Sequence, residues 1–202
     1  MEVRRVVTLL IVICVCLIIS SCAGIGERYC LNYFRWDVKT MTDSSAARLF
    51  PLISMNSSIE DLIKLTPPVR LSSLSKNDGK LPRFESEKQL VRIKCEITNM
   101  ELEKDQDFHI VVKSLTSKAT MIVEVPCLFC PVFDLHPEQR AQLSAARSQA
   151  IFLYNIFKSN KRPIKVEITG ALFWDAPHFW IKRSSKTGIE IHPVTEIRIL
   201  EK

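Results

Sequence analysis

Alternating apolar and polar positions dominate the second half of the chain. The first such segment begins near residue 89 and places an apolar side chain at every second position: Val91, Ile93, Cys95 and Ile97. This period of two is typical of a strand with one buried face. Four further segments have a strand-like composition: residues 108–112, 119–125, 164–174 and 188–200. The pattern therefore predicts five strands.

One long stretch between the third and fourth strand segments has the period of a helix instead. Within residues 137–160 the apolar side chains recur at helical spacing: Leu143, Ala146, Ala150, Leu153 and Phe157. Pro137 stands at the entry and basic residues stand near the exit, as helix ends favour. The sequence predicts one long helix here.

Three strands, a helix and two strands follow in the order of an OB-fold. This fold is a small five-stranded Greek-key barrel, and its helix closes one end between the third and fourth strands. Gly170 lies inside the fourth strand segment, where it fits the bulge or tight bend that a small barrel needs. We therefore expect a mainly β fold with one long helix, an OB-fold-like five-stranded barrel over residues 89–202.

The residues before the barrel are predicted to form an N-terminal extension, 36–88, that packs on it. A short helix is expected within the extension, because Ser57 or Ser58 can serve as its N-cap and Pro67 follows as a stop.

The N-terminus carries the signature of export. Arg4 and Arg5 precede an apolar run that ends in two serines and Cys22, which is the layout of a signal peptide. The run is shorter than the roughly 20 residues that a membrane-spanning helix needs. ISSC, residues 19–22, resembles a bacterial lipobox, in which a peptidase cuts before a cysteine that carries diacylglycerol. An uncleaved signal anchor is the alternative.

The lipobox predicts how the chain is processed and where the mature protein is located. We expect residues 1–21 to be removed, Cys22 to be lipidated and residues 22–35 to form a tether. The lipid would hold the protein in the membrane of a bacterial cell envelope. Ala23 stands where an aspartate often retains such proteins in the inner membrane. The outer membrane is therefore preferred over the inner membrane or the cell surface.

The net charge of the chain adds little to this predicted location. The whole chain has a formal net charge of +6, and removal of residues 1–21 leaves a net charge of about +5. Such a mild, diffuse excess suits a surface near anionic lipid and does not indicate nucleic-acid binding.

Besides Cys22, the predicted mature chain carries four cysteines, which agree with an exported, oxidising setting: Cys30, Cys95, Cys127 and Cys130. Cys127 and Cys130 have the spacing of redox and zinc sites, but Pro131 follows at once and a zinc site needs a second ligand pair. We expect a structural disulfide, with Cys30 joined to Cys127 or Cys130 as the favoured pairing.

Five sequence boxes resemble those of a family of small exported bacterial proteins of uncharacterised function. They are DVKTMTD, DQDFHIVV, TMIVEVP, ITGALFWDAPHFW and GIEIHPV, and they span the chain from about Cys30 to Ile199. The resemblance implies export and an OB-like barrel, and it brings no established reaction with it.

These boxes supply the candidate chemistry, a set of acids and histidines: Asp107, His109, Glu124, Asp175, His178, Glu190 and His192. Alternation places Asp107 with His109, and Glu190 with His192, on common strand faces. One interpretation is a metal site for zinc, manganese or iron. The favoured interpretation is a network of buried, mutually paired polar groups in which Glu124 and Glu190 meet Lys39 or Arg83.

We therefore expect a lipid-anchored envelope protein that is a non-catalytic binding or structural module without a cofactor. The alternative is a metal-dependent, nuclease-like hydrolase, and its site would use four of these residues: His109, Asp175, His178 and His192. Nucleic-acid binding is disfavoured, because the outward positions of strands two and three include no aromatic side chain for base stacking. A protein, peptide or glycan ligand stays open, with the aromatic and basic edge at residues 179–183 as its candidate surface.

Overall fold

A computed structural model of the protein describes residues 34–49, 53–68, 81–128, 135–175 and 187–200. They belong to one compact unit, Asn32–Lys202. The predicted signal peptide, the lipidation site Cys22 and residues 179–183 lie outside the described residues. Within the described ranges, no helix has both the length and the apolarity to cross a membrane.

One sheet of six strands forms the centre of the described structure. Its strands are β1 (Met55–Asn56), β2 (Leu90–Leu102), β3 (Phe108–Ser114), β4 (Thr120–Val125), β5 (Ile164–Trp174) and β6 (Ile189–Ile199). The described helices are α1 (Trp36–Lys39), α2 (Ile59–Leu62) and α3 (Pro137–Asn160). Single 3-10 turns occupy Ala46–Arg48 and Glu85–Glu87.

The sheet closes into a five-stranded barrel. The strands pair in the order β2, β3, β4, β6 and β5, and β5 pairs back with β2. β4 and β6 run parallel, whereas the other pairs of the barrel are antiparallel. The predicted OB-like barrel, with α3 between its third and fourth strands, is confirmed. β1 is a short parallel addition at the start of β2.

Apolar side chains from all five barrel strands fill the interior, and α3 packs against them. The helix contributes the face that its sequence period predicts, including Ala146, Ala150 and Leu153, to the same buried cluster as Ile110 and Ile191. Burying a side chain of the size of Leu153 contributes about 1.5–3 kcal/mol relative to exposure. Hydrophobic burial in this single core therefore holds the helix on the barrel.

Gly170 lies at the bulge that its position in β5 predicts. The pairing of β5 with β6 shifts register on both sides of this residue. A Cβ placed on Gly170 would lie 2.5 Å from the Pro193 carbonyl oxygen and would also collide with Ile191 Cγ2. Only a residue without a side chain lets the two strands approach this closely.

The extension covers part of the outer barrel wall. Two apolar contacts fix residues 34–49 to β5: Phe173 packs with Phe34 and Val38, and Ala171 belongs to a cluster with Met41 and other side chains. The short helix predicted in the extension is confirmed as α2, and the Ser58 hydroxyl accepts a hydrogen bond from the Asp61 backbone N–H at 3.1 Å.

A buried ion pair anchors the same segment. The Arg35 guanidinium donates to both carboxylate oxygens of Glu87, and both side chains are 0% exposed. Glu87 also accepts hydrogen bonds from the backbone N–H groups of Trp174 and Phe84, at 2.8 and 2.7 Å. Because the acid is satisfied from several elements, this pair joins the extension to the end of β5.

Cys95 is a free thiol inside the barrel. It was one of the four disulfide candidates, but β2 turns its side chain toward the apolar core. Burial there raises the pKa of the Cys95 thiol to about 12. Cys127 is buried after β4, whereas Cys30 and Cys130 lie outside the described residues, so their pairing stays a prediction.

Candidate functional site

Seven ionisable side chains meet between the outer barrel wall and α1. This polar cluster consists of Lys39, Asp107, His109, Glu124, Asp175, Glu190 and His192. It includes six of the seven residues that the sequence boxes indicate. The seventh, His178, lies outside the part of the chain that the structure describes.

Strand alternation and register bring the cluster together. His109 on β3 stands opposite Glu124 on β4. On the other side of β4, Glu190 of β6 pairs with Ile122. Their neighbours Ile110 and Val123 belong to the barrel core, so these polar side chains point away from it.

Five of the seven side chains in the cluster are buried, although the cluster lies outside the barrel interior, and Lys39 and His109 are each 15% exposed. His192 is 0% exposed, Asp107 1%, Glu190 4%, and Glu124 and Asp175 each 7%. The aromatic ring of Phe173 forms part of the cover, with its centroid 5.7 Å from the His192 ring and 5.2 Å from Lys39 Nζ.

Glu124 is the centre of the cluster. Its Oε1 lies 2.8 Å from Nδ1 of His109, a hydrogen bond, and its Oε2 lies 2.8 Å from Nδ1 of His192. Lys39 Nζ lies 3.9 Å from the same Oε2 and 3.8 Å from Oδ1 of Asp175. One cation from the extension therefore faces two carboxylates of the barrel.

The sequence suggests Lys39 or Arg83 as the partner of Glu124 and Glu190. Of these two cations, Lys39 reaches Glu124. Arg83 does not join the cluster. Its guanidinium instead pairs with Asp43 at 2.7 Å and donates to the Val38 carbonyl at 2.8 Å. Arg83 thus links the end of the extension to its beginning, at Val38 and Asp43.

The charged pair at the centre is well stabilised. Burial opposes ionisation of Glu124, but the Lys39 ammonium and the two imidazoles outweigh it and hold its pKa well below the usual range. Burial likewise opposes the charge on Lys39, yet the carboxylates of Asp175 and Glu124 raise the pKa of this ammonium. Both groups are therefore charged at neutral pH.

Two further acids, Asp107 and Glu190, are driven toward their protonated forms. Burial, together with the charges of Asp105 and Glu124, raises the pKa of Asp107 well above its usual value. Burial and the charges of Glu124 and Asp175 do the same for the pKa of Glu190. The cluster thus contains more buried carboxyl groups than its neighbouring cations can neutralise.

The two histidines differ. For His109, the hydrogen bond and charge of Glu124 outweigh burial and raise the pKa. For His192, burial dominates and lowers the pKa. Neither ring nitrogen of His192 has a well-directed hydrogen-bond partner within the described ranges. Nδ1 is close to Glu124, but off the line of a ring N–H, and Nε2 lies 3.8 Å from Oδ2 of Asp107.

Two groups within the cluster have the spacing of metal ligands. Asp107, Glu124 and His192 each offer a ligand atom within 4.8 Å of the others, and all three are buried. Glu103, His109 and Glu124 form a second such set, in which Glu103 is exposed. Sequence reasoning missed Glu103, which follows β2 without a motif to mark it.

A polar surface cavity of about 400 Å³ lies at the turn between β3 and β4. Its basic side chains are Lys113, Lys118 and Lys165. The turn is tied to α2, because the hydroxyls of Thr116 and Ser117 donate to the Glu60 carboxylate.

No protein-family model matches the chain, and no curated protein matches it significantly. Solved structures similar to part of the chain are OBody AM2EP06 and OBody AM3L09, each bound to hen egg-white lysozyme. Both are 18% identical to this chain and cover 56% of it; the alignments cover 81% and 83% of those chains, with TM-scores of 0.34 and 0.33.

Proposed function

We propose that this protein is a lipid-anchored envelope module that acts by binding or by structure, without catalysis. The burial of the polar cluster beneath the extension supports this proposal. A general acid, base or nucleophile must come within hydrogen-bond reach of its substrate. Asp107, Glu190 and His192 are at most 4% exposed and face one another instead.

The cluster then serves as a fastener between the extension and the barrel wall. Lys39 supplies the extension's charge, and Glu124 and Asp175 supply the barrel's charges. Buried ion pairs of this kind specify one arrangement of the elements that they join, because an alternative arrangement leaves a charge unpaired.

Exchange of Lys39 for methionine tests the fastener. We expect Lys39→Met to lower the free energy of unfolding by about 3–5 kcal/mol, because it leaves buried carboxylates without their cation. Lys64→Met is the matched control: its pair with Asp61 is exposed on both sides, at 74% and 72%, so its loss should cost at most about 1 kcal/mol. Equal urea midpoints for the two variants would contradict the fastener.

The rival function is a metal-dependent, nuclease-like hydrolase at the same residues. The untagged protein should be incubated with single- and double-stranded DNA and RNA in the presence of Mg²⁺, Mn²⁺ or Zn²⁺. We expect no cleavage above that of a buffer blank. Cleavage that disappears in Asp107→Asn would establish the hydrolase and refute the non-catalytic role.

The envelope address has its own test. Cys22→Ala should abolish the mobility shift of acylation and cause the precursor to accumulate in bacterial cells. Unchanged processing would refute the lipid anchor.

A protein, peptide or glycan ligand is part of the same proposal. The lysines around the cavity at the β3–β4 turn favour an acidic ligand.

A further inference from the structure

We propose that Asp107, Glu124 and His192 hold one divalent transition-metal ion, which ties the start of β3 to β4 and β6. This inference goes beyond the proposed function and does not depend on it. Three protein ligands are also the number that catalytic zinc sites use, but these three are buried, so the ion would have a structural role.

The spacing of the three ligands fits an ion. Zinc binds imidazole nitrogen and carboxylate oxygen at about 2.0–2.2 Å, so ligands on one ion lie roughly 3–4 Å from each other. Nε2 of His192 lies 3.8 Å from Oδ2 of Asp107, and the three ligand atoms all lie within 4.8 Å of one another. Glu124 lies on β4, His192 on β6 and Asp107 directly before β3, and β4 pairs with both β3 and β6.

A buried imidazole without a well-directed hydrogen bond is the independent observation that points to a ligand. His192 is 0% exposed, and within the described ranges both of its ring nitrogens lack a well-directed hydrogen bond. Among the residues that the structure describes, Oε2 of the neighbouring Glu190 is buried without a hydrogen-bond partner as well. Leaving such buried groups unsatisfied destabilises the fold, and coordination by His192 would remove part of this cost.

The second set, Glu103, His109 and Glu124, is the weaker site. Nδ1 of His109 already has a hydrogen bond to Glu124, and Glu103 is 44% exposed in its side chain. An ion there would displace the hydrogen bond between His109 and Glu124, and its ligand Glu103 would remain in contact with solvent. The buried set has neither disadvantage.

The ligand types select the class of ion. Imidazole suits zinc, iron, copper and nickel, whereas sites built for magnesium and calcium use oxygen ligands. Lys39 does not rule out an ion, because its ammonium also faces Asp175 at 3.8 Å and can stay with that carboxylate.

Asp107→Asn is the sharpest test. The amide is isosteric with the acid, and its oxygen retains the acceptor for the Cys127 backbone N–H, which lies 2.6 Å from Oδ1. The fold is therefore preserved while a charged ligand is lost. The untagged protein is stripped with EDTA, dialysed against ZnCl₂ or NiCl₂ and analysed for metal per chain.

We expect about one ion per wild-type chain and binding at least about 100-fold weaker in Asp107→Asn. Glu103→Gln is the control, which removes a carboxylate from the other set, and it should bind as wild type does. The ion should also raise the melting temperature of wild type but not of Asp107→Asn.

Three outcomes would overturn the site: no metal on the wild type, unchanged binding by Asp107→Asn, or loss of binding in Glu103→Gln. Metal binding is separable from the proposed function. An ion without hydrolysis agrees with both, whereas metal-dependent hydrolysis would refute the non-catalytic role and leave the site intact.

Discussion

Single residues decide whether the barrel can close and what its interior tolerates. Gly170 illustrates the first point and Cys95 the second. Period-two alternation predicts the inward direction of Cys95, and the position of a glycine inside a strand predicts the bulge at Gly170. The sequence does not reveal that the thiol is free, since a cysteine in an exported chain equally favours a disulfide.

Gly170→Ala should destabilise the protein. The added methyl group would lie 2.5 Å from the Pro193 carbonyl oxygen, so β5 and β6 must move apart at a cost of about 1–3 kcal/mol. Urea unfolding measures the loss. Lys94→Ala, at an exposed position of β2, is the control and should stay within about 0.5 kcal/mol of wild type. A similarly small loss for Gly170→Ala would contradict the close approach.

Cys95 should make stability fall at alkaline pH. The folded protein keeps this thiol neutral up to about pH 12, whereas the unfolded chain releases the proton from about 9.0. The stabilising contribution is thus fully present below pH 9.0, and it declines above it by about 1.4 kcal/mol per pH unit. Cys95→Val should lack this component of the decline between pH 9 and 11. Parallel curves for the two proteins would contradict a buried neutral thiol.

At the scale of elements, the extension is the part that the sequence predicts least well. Strands and the long helix follow from local periodicity. The contacts of residues 34–49 depend on partners far along the chain: Arg35 meets Glu87, which is 52 residues away, and the carbonyl of Trp174, which is 139 residues away. No short-range pattern marks either partner, so sequence reasoning missed this ion pair.

The Arg35–Glu87 pair should behave as a buried clamp. Arg35→Met leaves the carboxylate uncompensated and should cost about 3–5 kcal/mol, and the added change Glu87→Gln should restore part of it. Lys88→Met is a neighbouring control, because its pair with Glu85 is exposed at 48% and 88%; its loss should cost at most about 1 kcal/mol. Additive effects of the two clamp substitutions in unfolding experiments would show that the groups do not interact.

For the whole molecule, the order of elements predicts the architecture, and the boxes predict the members of the polar cluster. Their burial could not be predicted, because it depends on how the extension lies over β4, β5 and β6. The same acids and histidines on an open wall would be accessible to a substrate. Here Lys39 and the Phe173 ring, on which Phe34 and Val38 pack, cover part of them, and they face one another. The extension therefore decides between an accessible site and a sealed network.

Native-state hydrogen exchange tests this sealed arrangement most directly. The backbone N–H groups of Val38, Thr40, Ala46 and Leu49 are hydrogen-bonded within the extension. We predict that they exchange with opening free energies within about 1 kcal/mol of those of the β4 and β6 amides, because extension and barrel unfold together. Opening of these four amides at about 0–2 kcal/mol, while the barrel amides stay protected, would contradict the account, since the cluster would then be uncovered in the folded protein.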